Sequence, residues 1–442
     1  MNRRQRITTI LTLGLPIIGG MLSQSLLNLV DAAMVGRLGE TALAGVALGG
    51  YSNFLAVSLI LGLSSGVQAS IARRQGQGRD HDCAVPLRWG ILLALIITPP
   101  LSLFFYLHSE WLTALMSDDI QTQSIAEHYF NYRIPALVCV ALNLSFRGYW
   151  NGINKPLVYL RILLLVQLLN IPISYVLIFG YFDIPAMGAP GAALGTSLSL
   201  CIGALLCTAL TLPHARYKGL FRRSSDDRAV LQSLLKLAIP HSTQQFFFAM
   251  SIAVLFWIIG QLGTAELAIG HVLVNLALLL ILPGVGIGMA CTTLVSHALG
   301  QRNPSLASRW GWDAILTASV IIVFLSLPMW LFPEPLLRLF LATEAAVSQA
   351  HLPMMLTGLA ISLDAAAIVL TQALLGAGAN RSVMLISILG QWCFYLPLAW
   401  LIGPWLGFGL TGIWILQVVH RCGSSFIFIY IWMRRNWVHI RL

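Results

Sequence analysis

The stretch "SQSLLNLVDAAMVGRLG", residues 23–39, sets an aspartate, Asp31, in the middle of an apolar run with no basic residue within several positions on either side. If these residues lie in water, Asp31 needs no explanation. If they cross a lipid bilayer, a carboxylate near its centre costs about 3 kcal/mol or more. The fold class therefore turns on whether this run is a membrane span.

The rest of the chain decides it. Of 442 residues, 57% are hydrophobic and only 10% charged, and the mean hydropathy is +0.81. A soluble protein carries about a quarter charged residues. Apolar runs of about 18 residues, long enough to cross a bilayer as a helix, recur from end to end. Lipid cannot satisfy backbone hydrogen bonds and no alternating-strand pattern appears, so the spans are helical. The opening "MNRRQRITTILTLGLP" has the charge of a signal peptide. Its apolar run continues past residue 30 without a small-residue cleavage site, so it reads as the first span.

Twelve spans are expected, at about 7–35, 42–72, 84–108, 121–147, 156–181, 190–212, 229–260, 266–298, 308–332, 348–376, 382–404 and 408–433. The basic residues fix their orientation. Arg3, Arg4 and Arg6 precede the first span; Arg73, Arg74 and Arg79 follow the second; Arg147 and Lys155 follow the fourth. Arg216, Lys218, Arg222, Arg223 and Arg228 lie between the halves. Arg302 and Arg309 follow the eighth span, Arg381 the tenth, and Arg434, Arg435 and Arg441 the last. With both termini cytoplasmic, an even span count puts every cluster on the inner face of a bacterial inner membrane. The net charge of +10 is accounted for by that face, with no nucleic acid needed.

The linker 213–228 splits the chain into halves, 1–212 and 229–442, each expected to form a six-helix lobe. Pairing residue n with n + 224 matches Pro16 with Pro240, "GRLGETALA" at 36–44 with "GQLGTAELA" at 260–268, and Gly62 with Gly286. These matches fall on proline, glycine and loop residues, where apolar composition does not force them. They indicate an internal duplication with parallel repeats, an arrangement typical of transporters.

Under this pairing Asp31 falls on Leu255, so the carboxylate belongs to the first half alone. Gln24, Asn28 and Asp31, spaced 4 and 3, share one helix face. Gln167, Asn170 and Ser174 of "VQLLNIPIS" repeat the device in the fifth span. The two stripes suggest a shared polar cavity, although amides also glue membrane helices together. Pro16 and Pro172 are candidate hinges. In the second half, Gln244 of "PHSTQQ", Asn275 and Asp364 are candidates, Asp364 having no basic residue close in sequence. His241 and His271 read as packed side chains, and Glu127 with Arg133 as a structural or interfacial feature. The seven cysteines form no CxxC pair and read as small core residues, giving neither a disulfide nor a metal site. No HExxH, GxSxG, dinucleotide fingerprint or phosphate loop is present, so neither an enzyme nor an ATP-driven pump is expected. Loss of water favours the protonated form of a carboxylate. Asp31 could load a proton on one side and release it on the other, or hold a cationic substrate while ionised.

These residues resemble the multidrug and toxic compound extrusion (MATE) transporters, in particular the DinF-like branch. "LPIIGGMLSQSLLNLVDAAMVGRLG" is similar to that family's first helix, with its bending proline at Pro16 and its acid at Asp31. "NIPIS" at 170–174 stands where the branch shows Asn-Ile-x-x-Asp, and "GAPGAALGTSLS" at 188–199 resembles the sixth-span entry, making Thr196 a cavity residue. The resemblance implies twelve helices in two pseudo-symmetric lobes and export of organic cations or amphipathic drugs against H⁺ or Na⁺. It places coupling at Asp31 and Asn170, with Gln24, Asn28, Gln167, Ser174 and Thr196 around the cavity. Two departures matter. Ser174 replaces the fifth-helix acid, and Ala249 replaces the seventh-span glutamate that partners the acid resembling Asp364 in the sodium-coupled branch. A lone carboxylate among amides and hydroxyls suits a proton better than sodium. The expectation is a proton-coupled exporter without cofactor or bound metal, working as a monomer in the bilayer. Sodium coupling and a flippase for a lipid-linked substrate are the alternatives.

Overall fold

The computed structural model describes residues 2–117, 119–181, 183–222, 227–341 and 343–440. The linker positions 223–226, Arg223 among them, and Arg441 lie outside the described residues. Among the described residues the structure is all-helical, in twelve long rods. We label them α1 (Arg3–Gly36), α2 (Glu40–Gly76), α3 (Val85–Leu107), α4 (120–152), α5 (Pro156–Phe179) and α6 (Ala189–Tyr217). The second set is α7 (Asp227–Gly260), α8 (Thr264–Gly300), α9 (Pro304–Leu331), α10 (Glu344–Ala377), α11 (Asn380–Trp405) and α12 (Gly409–Arg434). Among the described residues, eleven of these are long and apolar enough to cross a membrane. The exception, α4, is interrupted by a 3₁₀ turn at Ile134–Ala136. Pro135 removes a backbone donor there, and Ser102 of α3 donates its hydroxyl to the carbonyl of Ile134 at 2.7 Å. Short helices at Ser109–Ala114 and Pro333–Leu337 occupy corresponding loops of the two halves.

The packing repeats as the sequence does. In the first half α2 packs on α4, α3 on α4, α4 on α6 and α5 on α6; in the second, α8 packs on α10, α9 on α10, α10 on α12 and α11 on α12. The repeat is visible at single residues. A Cβ added to Gly152 of α4 would meet the carbonyl oxygen of Gln68 at 3.0 Å, and one added to Gly376 of α10 would meet that of Thr292 at 2.5 Å. Both members of each pair are 224 positions apart. Small residues let membrane helices approach backbone to backbone, where van der Waals packing holds them. Gly39 and Gly263, also paired by the repeat, open α2 and α8 with φ of 115° and 150°, which side chains avoid.

The compact units cut across the sequence halves. Among the described residues, those from Asn2 to Ile18 pack with those from Phe246 to Ile440, and those between Gly19 and Gln245 form the other unit. The changeovers lie about midway along α1 and α7, just past Pro16 and Pro240, and both helices run unbroken through their prolines. The exchange is itself symmetric. In one unit Gly62 of α2 faces Ala238 and Ser242 of α7; in the other Gly286 of α8 faces Ile18 of α1. α2 is broken between Ser58 and Gly62, and the amide of Gly62 donates to Ser242 Oγ at 3.0 Å. The break therefore leaves no orphan donor at that point.

Candidate functional site

In the unit of residues 19–245 the polar stripes of α1 and α5 meet. Gln167 Nε2 donates to Gln24 Oε1 at 3.3 Å, and Gln24 Nε2 to Asn28 Oδ1 at 3.2 Å. One turn on, Ser174 Oγ donates to Asn170 Oδ1 at 3.3 Å. Asn170 and Ser174 are buried, at 1% and 0% exposure, and Gln167 and Thr196 nearly so. Gly195 allows the close approach of α6, since a Cβ there would come within 2.5 Å of Ser174 Oγ. Thr196, the next residue, then reaches Asp31: Thr196 Oγ1 lies 3.4 Å from Asp31 Oδ2. The sequence-derived set Gln24, Asn28, Asp31, Gln167, Asn170, Ser174 and Thr196 thus gathers on three helices. Among the described residues no hydrogen bond joins Asp31 to Asn170.

Two atoms in this cluster are buried without a hydrogen-bond partner, Asp31 Oδ1 and Asn170 Nδ2. Buried polar atoms are rarely left so. The Thr196 contact is also weak, because the same hydroxyl lies 2.9 Å from the carbonyl of Ala192. A hydroxyl has one proton to donate. If it goes to the nearer carbonyl, neither Asp31 oxygen accepts a hydrogen bond from it.

The sequence reading missed the basic neighbour of Asp31. Arg133 of α4, set aside above as structural or interfacial, acts electrostatically on Asp31, and both act on Tyr129. Its Nε and Nη1 are buried without a hydrogen-bond partner. One residue away, the carbonyl of Tyr132 accepts from Ser197 Oγ at 2.8 Å, which ties α4 to α6 beside Thr196. No sequence spacing could reveal this, since the two charges lie on helices far apart in the chain.

The second-half candidates do not gather. Asp364 is not isolated: Arg421 of α12 donates from Nη1 to Asp364 Oδ2 at 2.5 Å, with side-chain exposures of 19% and 10%. The partner was missed because it lies 57 residues downstream. Asn275 is exposed and bonds its own helix, Nδ2 to the carbonyl of His271 at 2.9 Å. Gln244 belongs to the unit of residues 19–245, not to that of Asp364 and Asn275. His241 is packed as expected, its ring nitrogen Nδ1 2.6 Å from Ser65 Oγ, whereas His271 is exposed and stacks on Phe256 at 3.9 Å. Cys139 and Cys201 meet as free thiols with sulfurs 3.1 Å apart.

The chain can be set beside known proteins. It is 29% identical over 419 residues to a probable multidrug resistance protein NorM of Bradyrhizobium diazoefficiens, covering 92% of this chain and 88% of that one. A NorM of Thermotoga maritima is 26% identical, over 97% and 92% of the two chains. A solved structure described as the outward-facing conformation of a multidrug resistance MATE family transporter of the MOP superfamily superposes with a TM-score of 0.89. It is 21% identical, over 98% of this chain and 96% of that one, and it shows the shared two-lobe fold. The MatE family profile matches residues 16–176 and again 240–401, once per repeat and over more than half of the sequence. The chain therefore belongs to the MatE family.

Proposed function

We propose that this chain exports hydrophobic, often cationic compounds in exchange for inward protons, with Asp31 as the proton carrier. The substrate class rests on the relatives, which are named as multidrug resistance proteins. The site is consistent with it: amides, hydroxyls and a single carboxylate offer broad and weak recognition.

The observation that carries the proton assignment is the shared hydroxyl of Thr196. With its proton on the Ala192 carbonyl, the 3.4 Å contact to Asp31 is a hydrogen bond only when Asp31 carries a proton and donates it. A bare carboxylate is left under-satisfied, and the charge of Arg133 then acts on it. Each ionisation state thus has one support and lacks the other, which is what a reversible proton carrier needs. Pro16 lies about four turns from Asp31 on α1, and a missing backbone bond there lets a helix bend. Pro172 gives α5 the same freedom beside Asn170.

Sodium coupling has less support. A sodium ion is held by several hard oxygens, whereas Asp31 stands as the lone carboxylate of its cluster. Asp364, the acid that a second-lobe sodium site would use, already accepts the guanidinium of Arg421. The basic helix ends favour the inner membrane with both termini cytoplasmic, and the chain is proposed to act as a monomer.

The test is exchange in proteoliposomes. A pH gradient should drive uptake of a fluorescent cation by the wild type, while a sodium gradient at equal pH should not. Asp31→Asn, purified with unchanged helix content, should lose the pH-driven uptake. Undiminished coupling in that variant would refute the assignment.

A further inference from the structure

Away from Asp31, at the end of α2 and the beginning of α7, lies a cavity of about 110 Å³. Its walls are Ser70, Arg73, Arg74, Gln77 and Arg79 from α2 and the turn after it, facing Ala229, Val230 and Ser233 of α7. Ser70, Arg73, Arg74 and Gln77 follow at i, i+3, i+4 and i+7, so one helical face presents them together. Pockets for drug-sized molecules run to about 300–1,000 Å³. This one is too small for such cargo and large enough for a tetrahedral oxyanion.

Its chemistry selects the charge. Three guanidinium groups line it, and Asp82 pairs with those of Arg74 and Arg79. Asp82 accepts from Arg79 Nη2 at 2.5 Å and lies 3.2 Å from Arg74 Nη1. Arg73, 7% exposed, stands with its head group inside the protein. Two cations at the last turn of α2 also complement the carbonyl end of that helix, which explains their presence but not a cavity between them. The decisive group is Ser70. It is 7% exposed, its Oγ is buried without a hydrogen-bond partner, and it lines the cavity. The first turn of α7, which supplies Ala229 and Val230, adds a helix N-terminus, where backbone amides favour an anion.

We propose that this cavity binds a phosphate group, held by Arg73, Ser70 and the opening turn of α7. Guanidinium forks suit phosphate oxygens, and the Ser70 hydroxyl gains the acceptor it lacks. Basic pockets between membrane helices at the headgroup level recognise anionic lipids, and Arg73, Arg74 and Arg79 at the end of a span-length helix fit such a level by the positive-inside pattern. The phosphate comes either from an anionic phospholipid or from solution. Bound there, it clamps the start of α7 to α2, within one compact unit.

The test measures thermal stability and lipid retention of the purified full chain. Inorganic phosphate is titrated in neutral detergent, and vesicles of phosphatidylglycerol are compared with phosphatidylcholine. If the site is a phosphate site, one of the two should raise the melting temperature saturably. Stabilisation by phosphatidylglycerol alone identifies a lipid headgroup, and stabilisation by inorganic phosphate identifies a soluble ligand. Arg73→Gln should weaken the effect at least tenfold and Ser70→Ala several-fold. Ser233→Asp places a carboxylate among the arginines. It should keep the protein stable without ligand while abolishing the ligand response, a pattern that misfolding cannot produce. Equal responses in wild type, Arg73→Gln and Ser233→Asp, or no response in the wild type, would overturn the proposal.

Discussion

Asp31 and Asp364 are both acids inside apolar helices of the same repeat-built chain, and they are kept in opposite ways. Asp364 touches the guanidinium of Arg421. Asp31 has one oxygen with no hydrogen-bond partner and the other sharing a hydroxyl with a backbone carbonyl. A buried charge in contact with its opposite is held in one state, and removing either partner strands the other. A buried acid without such a contact can change state. On the proposed reading, the difference separates a structural acid from a working one more sharply than hydropathy does.

The contrast can be broken at several points. The largest expected effect is at Asp31: Asp31→Asn should abolish proton-driven uptake while costing less thermal stability than breaking the Asp364–Arg421 contact, because no ion pair holds Asp31 among the described residues. If stability collapses and transport survives, the roles of the two acids are reversed. Next, Arg421→Gln should destabilise by about 3 kcal/mol, because the Asp364 carboxylate is stranded. Adding Asp364→Asn should restore most of that loss, as measured by thermal unfolding in detergent. An unrestored double variant would show that Arg421 acts through something other than the pair.

A third comparison sets the repeats against each other. Gly376→Val and Gly152→Val both force a β-branched side chain against a facing carbonyl, and overpacking of this kind costs about 1–3 kcal/mol. The second-half variant should lose more, since its Cβ would meet oxygen at 2.5 Å against 3.0 Å in the first half. The order of the two melting temperatures checks this. The smallest effect is at Thr196, where Thr196→Val removes the hydroxyl shared by Ala192 and Asp31, each hydrogen bond being worth about 1 kcal/mol. Drug tolerance of a pump-deficient host should fall only in part, and Thr196→Ser should recover it.

Much of the fold was legible because the decisive signals are imposed by the backbone. Pro16 and Pro240, Gly39 and Gly263, and Gly62 and Gly286 recur at one interval because each does something that other residues cannot. The apolar runs gave the rods, and α4 alone fell below a span's composition because Pro135 and several polar residues interrupt it. The three-helix cluster was legible from helical spacing on α1 and α5, whereas Thr196 came through the family resemblance. What stayed hidden are contacts made at long range. Arg421 is 57 positions from Asp364, and Arg133 is about a hundred from Asp31. Hydropathy was equally blind to the changeovers beside Pro16 and Pro240, which depend on which neighbour a helix end finds.

That exchange of helix ends has a bearing on ancestry. Each compact unit keeps most of one repeat and takes the opening segment of the other, at equivalent positions. A primordial half-length chain obeying the same packing could not have closed its own interior. It would have lent its first few turns to a second copy and received the same in return, as domain-swapped dimers do. Fusing two such copies end to end would have preserved the loan within a single polypeptide. Either half synthesised alone today should accordingly be insoluble or dimeric, with a gap where its neighbour's leading segment belongs.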